Sequence, residues 1–161
     1  MDRIARTATL EIAYEQSGPE HGTPVILLHG FPDDVRTWDG VAPKLAEAGL
    51  RVIVPWLRGY GKTRFLDPAT PRSGQQAALG ADLLALMDAL GIGRALLAGY
   101  DWGGRAACIV SALWPERVRG LVSSNGYNIQ NLATADQPGP PDREMRLWYQ
   151  FYFHLDRGRA P

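Results

Sequence analysis

"LLAGYDWGGRAACIV", Leu96 to Val110, changes character at its middle. The first half is a short apolar run closed by Gly99, the pattern of a strand buried on both faces. The second half, from Gly103 onward, reads as a helix that stops near Pro115. A carboxylate, Asp101, stands at the junction among Gly99, Gly103 and Gly104. A strand passing straight into a helix brings two backbones close and strains the central residue, and glycine neighbours make that sterically feasible.

The same alternation runs outward from this junction. "PVILLHG" and "RVIVPW" are also short continuous apolar runs, so with "RALLAGY" they predict three parallel, central strands. Helices are expected between them, over "VRTWDGVAPKLAEAG" and over "SGQQAALGADLLALMDALG", where Leu79, Leu83, Leu86 and Leu90 form one stripe. "VRGLVSSNG" predicts a further strand, and the alternating "ATLEIAYEQSG" an antiparallel edge. Strand, crossover, strand in succession predicts the α/β class: a doubly wound, mostly parallel sheet with flanking helices. "NIQNLATADQPGPPDR" has neither period and reads as a linker, and "EMRLWYQFYFHLDRGRAP" opens as an aromatic-rich helix. The expected division is a core over 1–126, a linker over 127–141 and a helix over 142–161, with the sheet incomplete at its C-terminal side.

Seventeen Lys and Arg balance seventeen Asp and Glu, so no basic surface is expected to seek nucleic acid or anionic lipid. Cys108 is the only cysteine, which rules out an intrachain disulfide and reads as a small buried hydrophobe. "MDRIARTATLEIAYE" has no continuous apolar core for a signal peptide, and no segment reaches transmembrane length, so a soluble cytoplasmic protein is expected. The glycines of "RGYGKT", Arg58 to Thr63, fit neither a phosphate loop nor a dinucleotide fingerprint, which leaves a structural loop. Neither a cofactor nor a metal is expected.

Open parallel sheets form sites beyond the carboxyl ends of their strands, where Asp101 is expected. The helix N-terminus behind it would stabilise a carboxylate. Two readings follow: a nucleophile on a sharp elbow, or a simple helix cap. "HGFPDD", His29 to Asp34, closes another buried strand with a Gly-Pro loop at the same end.

With "RGYGKT" and "GYDWGG", these residues make the chain, from about Ile4 onward, resemble the α/β-hydrolase superfamily. Within it, the resemblance is to the epoxide hydrolase and haloalkane dehalogenase group that uses Asp as nucleophile. It implies that Asp101 attacks carbon to form an alkyl-enzyme ester, with the backbone N–H groups of Phe31 and Trp102 as oxyanion hole. His29, Gly30, Pro32, Gly99, Gly103 and Gly104 would be the structural motif around them. Members of the group hydrolyse the ester with a histidine placed after the last strand and an acid that orients it. His21, His29 and His154 do not stand there, so the resemblance implies a chain lacking base, acid and full turnover.

Phe31 occupies the position where haloalkane dehalogenases carry Asn, which favours a small apolar epoxide as substrate. A halogenated substrate, fluoroacetate or haloalkane, is the alternative with the same Asp. "WYQFYF" is similar to the opening of the family's cap, where a tyrosine protonates the epoxide oxygen, and Tyr149 is the matching position. The plainer reading makes Trp148, Tyr149, Phe151 and Tyr152 the packing face of a helix. A rival from another class is a truncated or split, catalytically inactive half, acting through self-association or a complementing C-terminal half recruited by uncovered strand edges.

Overall fold

The computed structural model describes residues 3–126, 131–134 and 136–159. In chain order the first unit contains β1 (Arg3–Arg6), β2 (Leu10–Ser17), β3 (Pro24–Leu28), a 3-10 turn (Val35–Trp38), α1 (Ala42–Glu47), β4 (Arg51–Pro55) and β5 (Arg64–Phe65). It continues with α2 (Gln76–Ala89), β6 (Ala95–Tyr100), α3 (Asp101–Leu113), a 3-10 turn (Pro115–Arg117) and β7 (Val118–Ser124). The sheet order is β1-β2-β4-β3-β6-β7, with the two-residue β5 paired to β2. The three apolar runs form the centre as parallel neighbours, β4 and β6 on either side of β3, and β7 extends the parallel set.

Both sheet faces are covered, which is why the central strands read as continuous apolar runs. Along β3, Ile26 and Leu28 pack toward α2 and α3, while Val25 and Leu27 pack toward α1 and the 3-10 turn. Ile53 of β4 joins the first face, and Val52 and Val54 the second. The stripe on α2 buries Leu79, Leu83, Leu86 and also Met87. Each such side chain contributes about 2 kcal/mol through removal from water. The chain therefore belongs to the α/β class, with a mostly parallel mixed sheet and flanking helices.

Three local expectations are revised. "ATLEIAYEQSG" is not an edge: β1 folds back on it through Thr7, whose Oγ1 accepts the Leu10 N–H at 2.9 Å, so β2 runs between β1 and β4. The helix expected over "VRTWDGVAPKLAEAG" is split into the 3-10 turn and α1. Pro43 carries no N–H and sits in the first turn of α1, so it starts a helix there and does not continue one. Cys108 is half-buried, its Sγ 3.6 Å from Ser123 Oγ and from Gly126 O.

The described residues fall into two compact units, 1–128 and 129–161. The second contains a short 3-10 turn (Leu132–Thr134), α4 (Pro141–Arg146), α5 (Trp148–His154) and α6 (Asp156–Arg159). The single aromatic-rich helix expected here is thus three short ones. Leu155 between α5 and α6 is extended, with ψ 153°, and aromatic residues are weak helix formers that do little to bridge such breaks.

Candidate active site

The sheet topology fixes where a site can form. The connection after β3 leads to α1 on one face, and that after β6 leads to α3 on the other. Between the carboxyl ends of β3 and β6 the two connections diverge, leaving a crevice of the kind in which open α/β sheets bind ligands. His29 to Asp34 follow β3, and Asp101 follows β6.

Asp101 begins α3 with φ 49°, in the left-handed region that side chains rarely adopt. Three close approaches hold it there. A Cβ on Gly103 would lie 2.4 Å from the carbonyl oxygens of Leu28 and His29, and one on Gly99 would lie 2.7 Å from Gly103 O. A Cβ on Gly30 would lie 2.5 Å from the Asp101 Cβ. Gly104 meets Gly126, where an added Cβ would stand 3.0 Å from its Cα. These glycines let the strand, the helix and the loop after β3 converge on one point.

Asp101 meets a residue far away in sequence. The N-cap of α3 is Tyr100, and Asp101 is the first residue of the helix. Its Oδ1 accepts the N–H of Phe31, 70 residues away, at 2.9 Å. Trp102, next in sequence, is in the first turn of α3, too early for its N–H to have an intrahelical acceptor. Phe31 is 40% exposed and is joined to Pro32 by a cis peptide bond. The Arg105 guanidinium lies 4.4 Å from the centre of the Trp102 ring.

His29 is fully buried and committed to structure. Its Nε2 accepts the Leu57 N–H at 3.1 Å, so Nδ1 carries the hydrogen and donates to Gly30 O at 3.2 Å. Burial holds its pKa below the usual histidine value. Its ring meets Tyr60 edge-on, with centroids 4.7 Å apart. Tyr60 comes from "RGYGKT", whose Arg58 and Thr63 side chains brace the fold. Arg58 donates twice to Asp82 of α2, each bond 2.6 Å, and Thr63 donates to Trp56 O at 2.8 Å. Burial, and then the charge of Asp101, pushes the Tyr60 phenol up.

Two groups near Asp101 were not singled out by the sequence. Tyr100 donates its hydroxyl to Asp33 Oδ2 at 2.8 Å, and its ring lies 6.0 Å from that of Trp38. Their sequence signal is adjacency alone: Asp33 is two residues past Phe31, and Tyr100 is one before Asp101. His21, in the turn before β3, is at the opposite end of the sheet. An apolar recess lined by Leu10, Ile12, Leu28, Leu79 and Leu83 holds none of the groups around Asp101. Among the described residues no group of three or more His, Cys, Asp and Glu could hold a metal ion, and no helix is long and apolar enough to cross a membrane. Tyr149 and His154 lie on α5 in the second unit, where Tyr149 faces Phe153 edge-on at 6.3 Å.

The profile of the family described as the alpha/beta hydrolase fold matches residues 23–159. The chain therefore belongs to the α/β-hydrolase fold family. Within that family its relatives include epoxide hydrolases, and the chain is epoxide hydrolase-like. A crystal structure from Klebsiella pneumoniae, described as a "putative epoxide hydrolase", shares 54% identity with a TM-score of 0.92, covering 98% of this chain and 52% of that one. Epoxide hydrolase B of Mycobacterium tuberculosis is 31% identical over 160 residues, covering 91% of this chain and 44% of the relative. Epoxide hydrolase 3 of Siraitia grosvenorii is 39% identical over 102 residues, 63% of this chain and 32% of the relative. The chain thus spans between about a third and a half of the length of these proteins.

Proposed function

We propose that this chain carries the nucleophilic half of an epoxide-opening site, with Asp101 as nucleophile on an elbow between β6 and α3. The observation that carries the reading is the Phe31 N–H on Asp101 Oδ1 at 2.9 Å. Fixing Oδ1 leaves Oδ2 to approach an epoxide carbon from behind. The Oδ2–C bond forms as the ring C–O bond breaks, and the resulting alkoxide takes a proton from a general acid or from solvent. The product is an alkyl ester of Asp101 whose carbonyl oxygen is Oδ1. When water adds to that ester, the charge that develops on Oδ1 faces the N–H groups of Phe31 and Trp102, the oxyanion hole of this reading. The substrate class is a small apolar epoxide, supported by the epoxide hydrolases among the relatives and by Phe31 at the mouth.

Water addition needs a base. His29 is unsuited to it, because both ring nitrogens are engaged and burial favours its neutral form. His21 is at the wrong end of the sheet. Ester formation is therefore assigned to the residues around Asp101, and its hydrolysis to a base outside that group.

The test is intact mass of the purified chain incubated with a small aryl epoxide, with Asp101→Asn as control. A persistent adduct of one epoxide, absent in Asp101→Asn, is expected. Diol without adduct would give the base to another residue, such as His154. Neither adduct nor diol from a chain shown by circular dichroism to be folded would refute the reading. It would favour a non-catalytic half that associates with another chain, for which β7 is the observation: it ends the sheet with Val122 69% exposed.

A further inference from the structure

Residues 100 and 101 each bond the same loop. Asp101 Oδ1 takes the Phe31 N–H at 2.9 Å, and the Tyr100 hydroxyl reaches Asp33 Oδ2 at 2.8 Å. The Thr37 side chain bonds the Tyr100 phenol from the 3-10 turn, and the Tyr100 ring lies against Trp38 of the same turn. The loop is exposed at Phe31, Pro32, Asp33 and Asp34, and it is also held at its two ends, by His29 on Gly30 O and by Asp34 on the Arg36 and Thr37 N–H groups. A backbone N–H that must hold a reacting carboxylate in one orientation gains from a second tether nearby.

We infer that Tyr100 and Asp33 are a positioning pair, a side-chain clamp that holds the loop after β3 against the start of α3 and so keeps the Phe31 N–H on Asp101. The bond is charge-assisted, with a neutral phenol donating to a carboxylate. It touches no reacting atom and acts through Phe31. Its kinetic consequence rests on the proposed nucleophilic role of Asp101, whereas its structural consequence does not.

Three variants separate the possibilities. Tyr100→Phe removes the donor, Asp33→Ala removes the acceptor, and Asp33→Asn keeps a carbonyl acceptor while removing the charge. Residue-resolved hydrogen exchange by NMR reads the Phe31 amide in the whole chain. Tyr100→Phe and Asp33→Ala are expected to speed Phe31 exchange by about fivefold, the scale of one hydrogen bond, while Ile26 and Leu97 in the buried strands keep their protection. Asp33→Asn is expected to stay close to the parent chain. Unchanged Phe31 exchange in Tyr100→Phe overturns the clamp, and so does an acceleration shared equally by Ile26 and Leu97, which would report general loosening.

The second readout is the rate of ester formation with a saturating aryl epoxide. The same two variants are expected to lower the maximal rate by about fivefold and leave the half-saturating concentration unchanged, because the clamp acts through the Phe31 N–H that orients the Asp101 carboxylate for attack. A parent chain that forms no ester refutes the role of Asp101, and Phe31 exchange still decides the clamp.

Discussion

Replacing Gly103 by Ala tests the close approach on which the whole site depends. The added Cβ would sit 2.4 Å from Leu28 O and His29 O, a full ångström inside the 3.4 Å at which ordinary contact begins. The atoms it meets are backbone, in the last residue of a central strand and the residue after it, so no flexible side chain can swing away. Relief requires α3 to lift from the sheet, which would loosen Ala106, Ala107 and Val110 from the core they fill. Overpacking of this kind costs typically 1–3 kcal/mol, and here the upper end applies because both sides are stiff. Alanine returns up to about 1 kcal/mol of helix propensity. The net expectation is a loss of about 2 kcal/mol, a midpoint shift of about 1 M in urea and about 4–8 °C in Tm. Urea and thermal unfolding followed by circular dichroism read both numbers. Gly93→Ala is the control: nothing lies within 4 Å of its added Cβ, so a change within about 0.5 kcal/mol is expected. Gly103→Ala as stable as the parent would refute the packing argument, and with it the account of how Asp101 is brought to Phe31.

Burial makes His29 a source of pH dependence. Its folded pKa lies below the ordinary histidine value of 6.5, so below pH 6.5 the unfolded chain takes up a proton that the folded chain refuses. Stability contributed by neutral His29 is complete above pH 6.5 and is lost as pH falls from there toward the folded pKa, by up to about 1.4 kcal/mol per pH unit. Urea titrations at several pH values, parent against His29→Gln, should show the extra loss in the parent only, and parallel curves would refute it. Arg58→Ala is expected to cost about 3 kcal/mol at pH 7, because the side chains of Arg58 and Asp82 are each only 14% exposed and the change strands a carboxylate. Burial already raises the Asp82 pKa, so part of that cost should disappear at acidic pH, as the stranded carboxyl takes a proton. A variant destabilised equally at neutral and acidic pH would refute the stranded-charge explanation.

The sheet was legible because burial leaves a mark that single residues carry. Val25 and Leu27 face one layer while Ile26 and Leu28 face the other, so a strand covered on both sides must be apolar throughout. Elements that depend on a partner left weaker marks. Two-residue β5 exists only because Leu10 and Glu11 of β2 pair with Phe65 and Arg64. β1 is a strand because β2 lies beside it, and its charged residues hid that pairing. The split of "VRTWDGVAPKLAEAG" was readable in Pro43, which the helical period around it outweighed.

The site was legible in a different way, and position 101 shows where the limit lies. Asp before "WGG" suits a helix cap as well as a nucleophile, since both put a carboxylate beside the first turn of a helix. What the sequence could not supply is the donor that Asp101 meets. A capping carboxylate bonds amides two or three residues ahead, whereas Asp101 bonds one 70 residues behind. That donor reaches it only because β3 and β6 are neighbours and Gly30 and Gly103 let backbones meet. Tyr100 and Asp33 follow the same logic at a second point of the crevice. Each is unremarkable in its own segment, and their contact exists only once strand order has set one loop against the other. The strands could be read one at a time, because burial acts on each residue separately. The contacts between the loops could not, because they are properties of pairs that topology alone brings together.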